Sequence, residues 1–236
     1  MPKIEYFGLL ENKLNDLALF ELDPLIIDPV PVISFINKKS KLKSFTCPSV
    51  TGYLKNTYFI CSPLDFSIVR SDNGSFSLIN SRDPAYDLNS FLFVGYPDSA
   101  ELDDRPMLTI MLQYIFINKD CDITIEIIDP PLINLPLKNV PGEFNISKWI
   151  RPTNFCFYLD PQVRQLDIAR GDPLYAVRFR NKEGTSIKLE QITEHDRRVQ
   201  ILTEQKKALS LKKYYPYAKL NEVYDMFKTR MKSLWK

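Results

Sequence analysis

The chain has 236 residues, of which 44% are hydrophobic and 25% charged, enough for a packed core and without the composition of a disordered chain. A net charge of +2 by itself points to neither nucleic acid nor an acidic ligand. With one histidine (His195) and seven glycines never closer than thirteen positions, nucleophilic triads, two-histidine metal centres and glycine-rich phosphate loops all lack their residues.

Residues 1–44 read as an arm. The text is rich in leucine and proline, and Pro24, Pro29 and Pro31 exclude a long helix, leaving a short helix near residues 12–19 and then extended chain. The N-terminus carries no secretory pattern. The run Lys38, Lys39, Lys41 and Lys43 reads as a solvated loop, with phosphate contact as the alternative.

Residues 45–192 read as a β-sandwich domain, in which 57–192 are strand text: short runs of Phe, Tyr, Ile, Val and Thr in period-two alternation. Strands are expected at Thr57–Cys61, Ser90–Gly95 and Thr153–Leu159. Three hairpins are expected as well. Leu64–Val69 turns through Asp72-Asn73-Gly74 into Ser75–Ile79, Met107–Ile117 turns through Asn118-Lys119-Asp120 into Cys121–Ile128, and Leu174–Arg180 turns through Asn181–Gly184 into Ser186–Ile192. The fold class is mainly β, an antiparallel β-sandwich or jelly roll with C-terminal α-helices. Met107–Ile117, the longest apolar run, falls short of the ~20 residues that span a bilayer, so no membrane segment is expected. Cys47, Cys61, Cys121 and Cys156 have no CxxC spacing and apolar neighbours; they read as reduced core thiols of a cytoplasmic protein.

The last segment, 193–236, is helical and basic. Thr193 followed by Asp196 approximates a capping box that opens a helix reaching about Lys213. After Pro216, the residues Leu220, Val223, Tyr224, Phe227, Met231 and Leu234 recur three and four apart, one apolar face of a second helix. Residues 1–196 carry a net charge of −6 and residues 197–236 a net charge of +8. That asymmetry marks either a contact with an anionic partner or a basic face lying on the acidic body or in solvent. Tyr214 and Tyr215, beside Pro216 and Tyr217, form either a corner packed on the body or an exposed aromatic contact.

No catalytic, cofactor-binding or metal-binding residue is assigned. His195 lies between two acids at a helix start and reads as a surface residue, while Asp103-Asp104 and Asp120 sit in polar loop or turn text. The candidate partner-binding residues are Tyr214, Tyr215, Leu220, Val223, Tyr224, Phe227, Met231 and Leu234, facing a protein partner or a second copy. Two alternatives are kept. One is a ligand-binding or carboxylate-dependent enzymatic jelly roll with Arg151, Arg178 or Arg180 as anion contacts; the other is weak, non-specific nucleic-acid association through the basic tail.

Four segments, at residues 45–68, 144–159, 167–180 and the basic, Tyr-rich end closing on SLWK, together resemble a poorly characterised family of small tailed-bacteriophage proteins. The order is similar too: a Cys-Pro element, a Pro-Asp signature, an aromatic-rich strand and a Gly-Asp-Pro turn into a Val-x-Phe strand. The chain departs from that pattern at Ser34-Phe35-Ile36-Asn37, where the family usually has Trp-Tyr-Lys. The resemblance implies a phage origin and a place in the host cytoplasm or the virion. It implies no reaction.

Overall fold

Alternation decides which side chains meet. In the strand Pro152–Leu159, Thr153, Phe155, Phe157 and Leu159 are buried while the residues between them are half-buried, the pattern of a strand whose one face looks into a core. The computed structural model describes residues 1–10, 27–39, 47–79, 92–95, 107–118, 121–160 and 162–214. They form a β-sandwich with helices on its outer faces.

The first sheet, A, runs in the order β14 (Lys188–Gln191), β1 (Lys3–Leu10), β7 (Met107–Ile117), β11 (Pro152–Leu159) and β9 (Leu137–Asn139). Its sixth strand, β6 (Leu92–Gly95), pairs with β7 along Met107–Ile110, on the side that β1 takes along Leu112–Ile117. The second sheet, B, runs β10 (Gly142–Asn145), β8 (Ile123–Ile128), β13 (Pro173–Asn181), β3 (Thr57–Cys61) and β2 (Val30–Pro31). A third sheet, C, of β12 (Gln165–Ile168), β4 (Phe66–Arg70) and β5 (Phe76–Ile79), adds Ile168, Phe66, Ile68 and Leu78 to the same core.

The core between sheets A and B is aromatic. Phe116 of β7 meets Phe179 of β13 edge to face at 5.1 Å, and Phe155 of β11 stacks on Tyr175 of β13 at 6.0 Å. The buried Tyr175 hydroxyl lies 3.0 Å from Thr153 Oγ1, which also lies 3.1 Å from the Tyr114 carbonyl, so both of these hydroxyl groups are paired.

Helices cover the outer faces. α1 (Val32–Lys39) and α2 (Pro48–Leu54) place Val32, Ile36 and Leu54 on Phe59, Cys61 and Ala176 of sheet B. α3 (His195–Tyr214) places Ile201 and Leu202 on Phe7, Ile115 and Ile117 of sheet A.

Several expectations hold and others need correction. The β4–β5 hairpin forms, with Gly74 at φ +80° and Asn73 Oδ1 accepting from the Ser75 amide at 3.0 Å. The Gly171-Asp172-Pro173 turn forms with Gly171 at φ +90°, and Asp172 Oδ2 accepts the Ala169 amide at 2.9 Å before β13 begins.

The other two hairpins do not form: β7 and β8 lie in opposite sheets, as do β13 and β14. Their connections cross the sandwich. Asn118, buried, donates to the Lys3 carbonyl at 2.6 Å and accepts the Cys121 amide at 2.7 Å, which ties the end of β7 to β1. The second crossing is held by Asn56, at φ 56°, whose side chain bonds Thr185 O and Ile187 N at 2.8 and 2.9 Å.

Three further corrections concern the N-terminal half. Lys3–Leu10 is a strand inside sheet A, parallel to β14 and antiparallel to β7. Residues 32–39 are helical where the arm is expected to be extended, and 48–54, ahead of the strand text, form a helix that the Cys-Pro element starts with Pro48 in the first turn. The helix expected near residues 12–19 lies outside the described residues.

Phe116→Ala should remove the edge-to-face contact and leave a cavity between the sheets. The expected loss is about 3–5 kcal/mol of unfolding free energy, measured by urea denaturation. Tyr175→Phe, which removes only the hydroxyl, should cost about 1 kcal/mol.

Candidate functional site

Of the partner-binding candidates only Tyr214 falls in a described element, as the last residue of α3. The helix starts at His195, just past Thr193, and ends at Tyr214, close to the expected limits. Tyr215, Leu220, Val223, Tyr224, Phe227, Met231 and Leu234 lie outside the described residues, and of Tyr214 only the backbone is described.

The root of α3 is fixed by apolar packing and by two arginines. Arg198, Ile201 and Leu202 share one face and are buried, the i, i+3, i+4 spacing of a helix laid on a sheet. Arg198 Nε donates to the Ile192 carbonyl at 2.7 Å, and Arg197 pairs with Glu5 of β1. On the other side Val199, Thr203, Lys206 and Lys207 are exposed. The described part of the basic tail is therefore divided: Arg197 reaches an acid of the body, Arg198 is buried, and Lys206 and Lys207 face solvent.

His195 is exposed at the first position of α3. Among the described residues no group of three or more His, Cys, Asp or Glu side chains is arranged to hold a metal ion. Asp103, Asp104 and Asp120 lie outside the described residues. Asp122 accepts the Asn145 amide and pairs with Lys182 at 3.5 Å; that hydrogen bond, more than the lysines nearby, holds its carboxyl below the usual range.

The three arginines read as anion contacts are not together. Arg151 lies over the rings of Trp149, at 4.8 Å, and Phe144, at 5.8 Å. Arg178 and Arg180 alternate along β13 and converge on Glu126 of β8, whose Oε2 lies 3.4 and 2.6 Å from their guanidinium groups. The sequence reading missed Glu126 and also Tyr53 of α2, whose ring lies 4.2 Å from the Arg178 guanidinium carbon. Period-two spacing puts Arg178 and Arg180 on one face; their neighbours come from distant segments and leave no local signal.

Cys47 corrects the reading of four core thiols. All four cysteines are free, but Cys47 is exposed at the N-cap of α2, Cys121 and Cys156 are half-buried, and Cys61 is buried. A hydrogen bond with the Ser49 hydroxyl, helped by the Ser49 and Val50 amides, lowers the Cys47 thiol from its ordinary value. Burial raises that of Cys156. Membrane-crossing is likewise described only in part: among the described residues no helix is long and apolar enough to cross a bilayer.

In the native protein a thiol reagent should modify Cys47 first, with Cys61 reacting only after unfolding. Because a lowered pKa means more thiolate at neutral pH, Ser49→Ala should slow Cys47 modification there and move its pH profile upward. Mass mapping of labelled peptides against time and pH measures both.

No protein-family model and no curated protein sequence matches the chain.

Proposed function

We propose that the protein is a bacteriophage-encoded β-sandwich module that carries no catalytic centre and acts through its C-terminal helical segment by binding another protein, in the virion or in the host cytoplasm. The observation that supports this reading most is the spacing of Leu220, Val223, Tyr224, Phe227, Met231 and Leu234, six large apolar side chains on one helical face. Each is worth roughly 1.5–3 kcal/mol when buried, so the face requires a protein surface. Tyr214, the last residue of α3, and Tyr215 next to it in sequence supply the aromatic edge of the same contact. A second copy of the chain is the alternative partner.

The division of charge fits a protein partner better than nucleic acid. The basic tail follows a body of net −6, which opposes approach to a polyanion. Any nucleic-acid binding is thus expected to be weak, sequence-independent and lost at physiological salt.

Phe227→Asp tests the reading, with melting temperature and solution mass measured on the same preparations. The expected variant melts like the parent and loses its association with the partner or copy. A lower melting temperature assigns the stripe to the protein's own core. A variant unchanged in both leaves it neither core nor interface and ends the proposal.

A further inference from the structure

On sheet B, Val177 and Phe179 of β13 enter the core, so Arg178 and Arg180 point to the outer side. There α1 and α2 cover Phe59, Cys61 and Ala176, and the cover ends at Tyr53 in the last turn of α2. The Arg178 side chain is only 11% exposed. Its Nε donates to Thr57 Oγ1 at 3.4 Å and its Nη1 to Glu126 at 3.4 Å, while its Nη2 is buried with no hydrogen-bond partner. Above that guanidinium lies the Tyr53 ring, yet Tyr53 itself is 60% exposed.

This is an unusual way to bury a cation. A buried charged donor left unmatched costs free energy, and an apolar side chain at position 178 would avoid that cost. Two guanidinium groups share one carboxylate oxygen, Glu126 Oε2, so neither has a carboxylate to itself. Glu126 orients both arginines toward the same point, and Arg180, half exposed, keeps further N–H groups in solvent. The ring over the guanidinium is exposed and belongs to none of the core clusters, so it can swing aside without opening the core.

We propose that Arg178 and Arg180 form a binding site for a carboxylate on an acidic segment of a protein partner. One carboxylate oxygen takes Arg178 Nη2 once Tyr53 has turned, the other takes Arg180, and the Tyr53 ring then flanks the incoming side chain. Acids on the near strands select the kind of anion. Glu143 of β10 stands beside Glu126 in register and is exposed, so a phosphate dianion meets more repulsion than a single carboxylate does. The site lies on the outer face of sheet B, whereas α3 lies on that of sheet A, so it is a second surface, independent of the C-terminal stripe.

The test follows the arginine Nε–H resonances of the full chain by NMR during titration with a capped oligoglutamate peptide and, in parallel, with inorganic phosphate. Expected are saturable shifts at Arg178 and Arg180 with the peptide, reduced by salt. Arg180→Gln should weaken that binding about tenfold with the melting temperature unchanged, and Arg180→Lys should restore part of it. Absence of saturable shifts, binding unaffected by Arg180→Gln, or tighter binding of phosphate than of peptide would overturn the assignment. A fall in melting temperature for Arg180→Gln would also overturn it, by showing that the pair is structural. Loss of the stripe's partner leaves all these readouts unchanged, which separates this site from the function proposed above.

Discussion

Two sheets in a sandwich stand about 10 Å apart, and only large side chains from both inner faces can fill that gap. In this protein aromatic rings do so: Phe116 against Phe179, and Phe155 between Phe157 and Tyr175. Three of the tyrosines in or beside this seam place their hydroxyl groups on protein acceptors. Tyr175 is paired with Thr153, Tyr114 donates to the Ile27 carbonyl and Tyr6 donates to Asp28. Burial of their rings, more than any neighbouring charge, keeps these phenols above their ordinary titration range and therefore neutral. The same bonds fasten the segment at residues 27–28 to sheet A.

The requirement that β7 and β11 face β13 across the seam determines the rest of the topology. A chain leaving β7 cannot return beside it, because β1, β6 and β11 already occupy both of its sides. It passes to sheet B as β8, and β13 in turn passes to β14 in sheet A. Each outer face is then half apolar and needs a cover, supplied by α3 on one side and by α1 and α2 on the other. The recognition surfaces proposed above are the segment that follows α3 and the edge of the α2 cover, where Tyr53 lies over Arg178.

Where a turn sets the pairing, the structure was legible from the sequence. Asn73-Gly74 permits one tight reversal, and β4 and β5 pair around it. Asn181–Gly184 is also a local turn, with Gly184 at φ 60° and its amide on the Asn181 carbonyl at 3.1 Å. There the reading as a hairpin failed, because residues after the turn cross the sandwich: the amide of the buried Ile187 is held by Asn56, 131 positions away in sequence. Alternation in β8 and β14 is satisfied equally by pairing with the preceding strand or by facing it, so periodicity cannot choose between them. Pro24, Pro29 and Pro31 argue for extended chain, yet α1 begins directly after Pro31 and Pro48 stands in the first turn of α2, where a missing amide costs no helical hydrogen bond. For the sites, the stripe and the Arg178/Arg180 alternation were visible as local patterns. Tyr53 and Glu126 join the arginines only through pairing of distant segments.

The central claim is that the aromatic sandwich is complete in itself and that the apolar C-terminal face serves another protein. Thermal unfolding of a chain ending at Tyr214, set against the parent, tests it most directly. The account predicts the same melting temperature for both chains, with binding to the partner or copy lost only in the shorter one. A shorter chain that melts well below the parent, or that does not fold, would contradict it by placing residues 215–236 in the core.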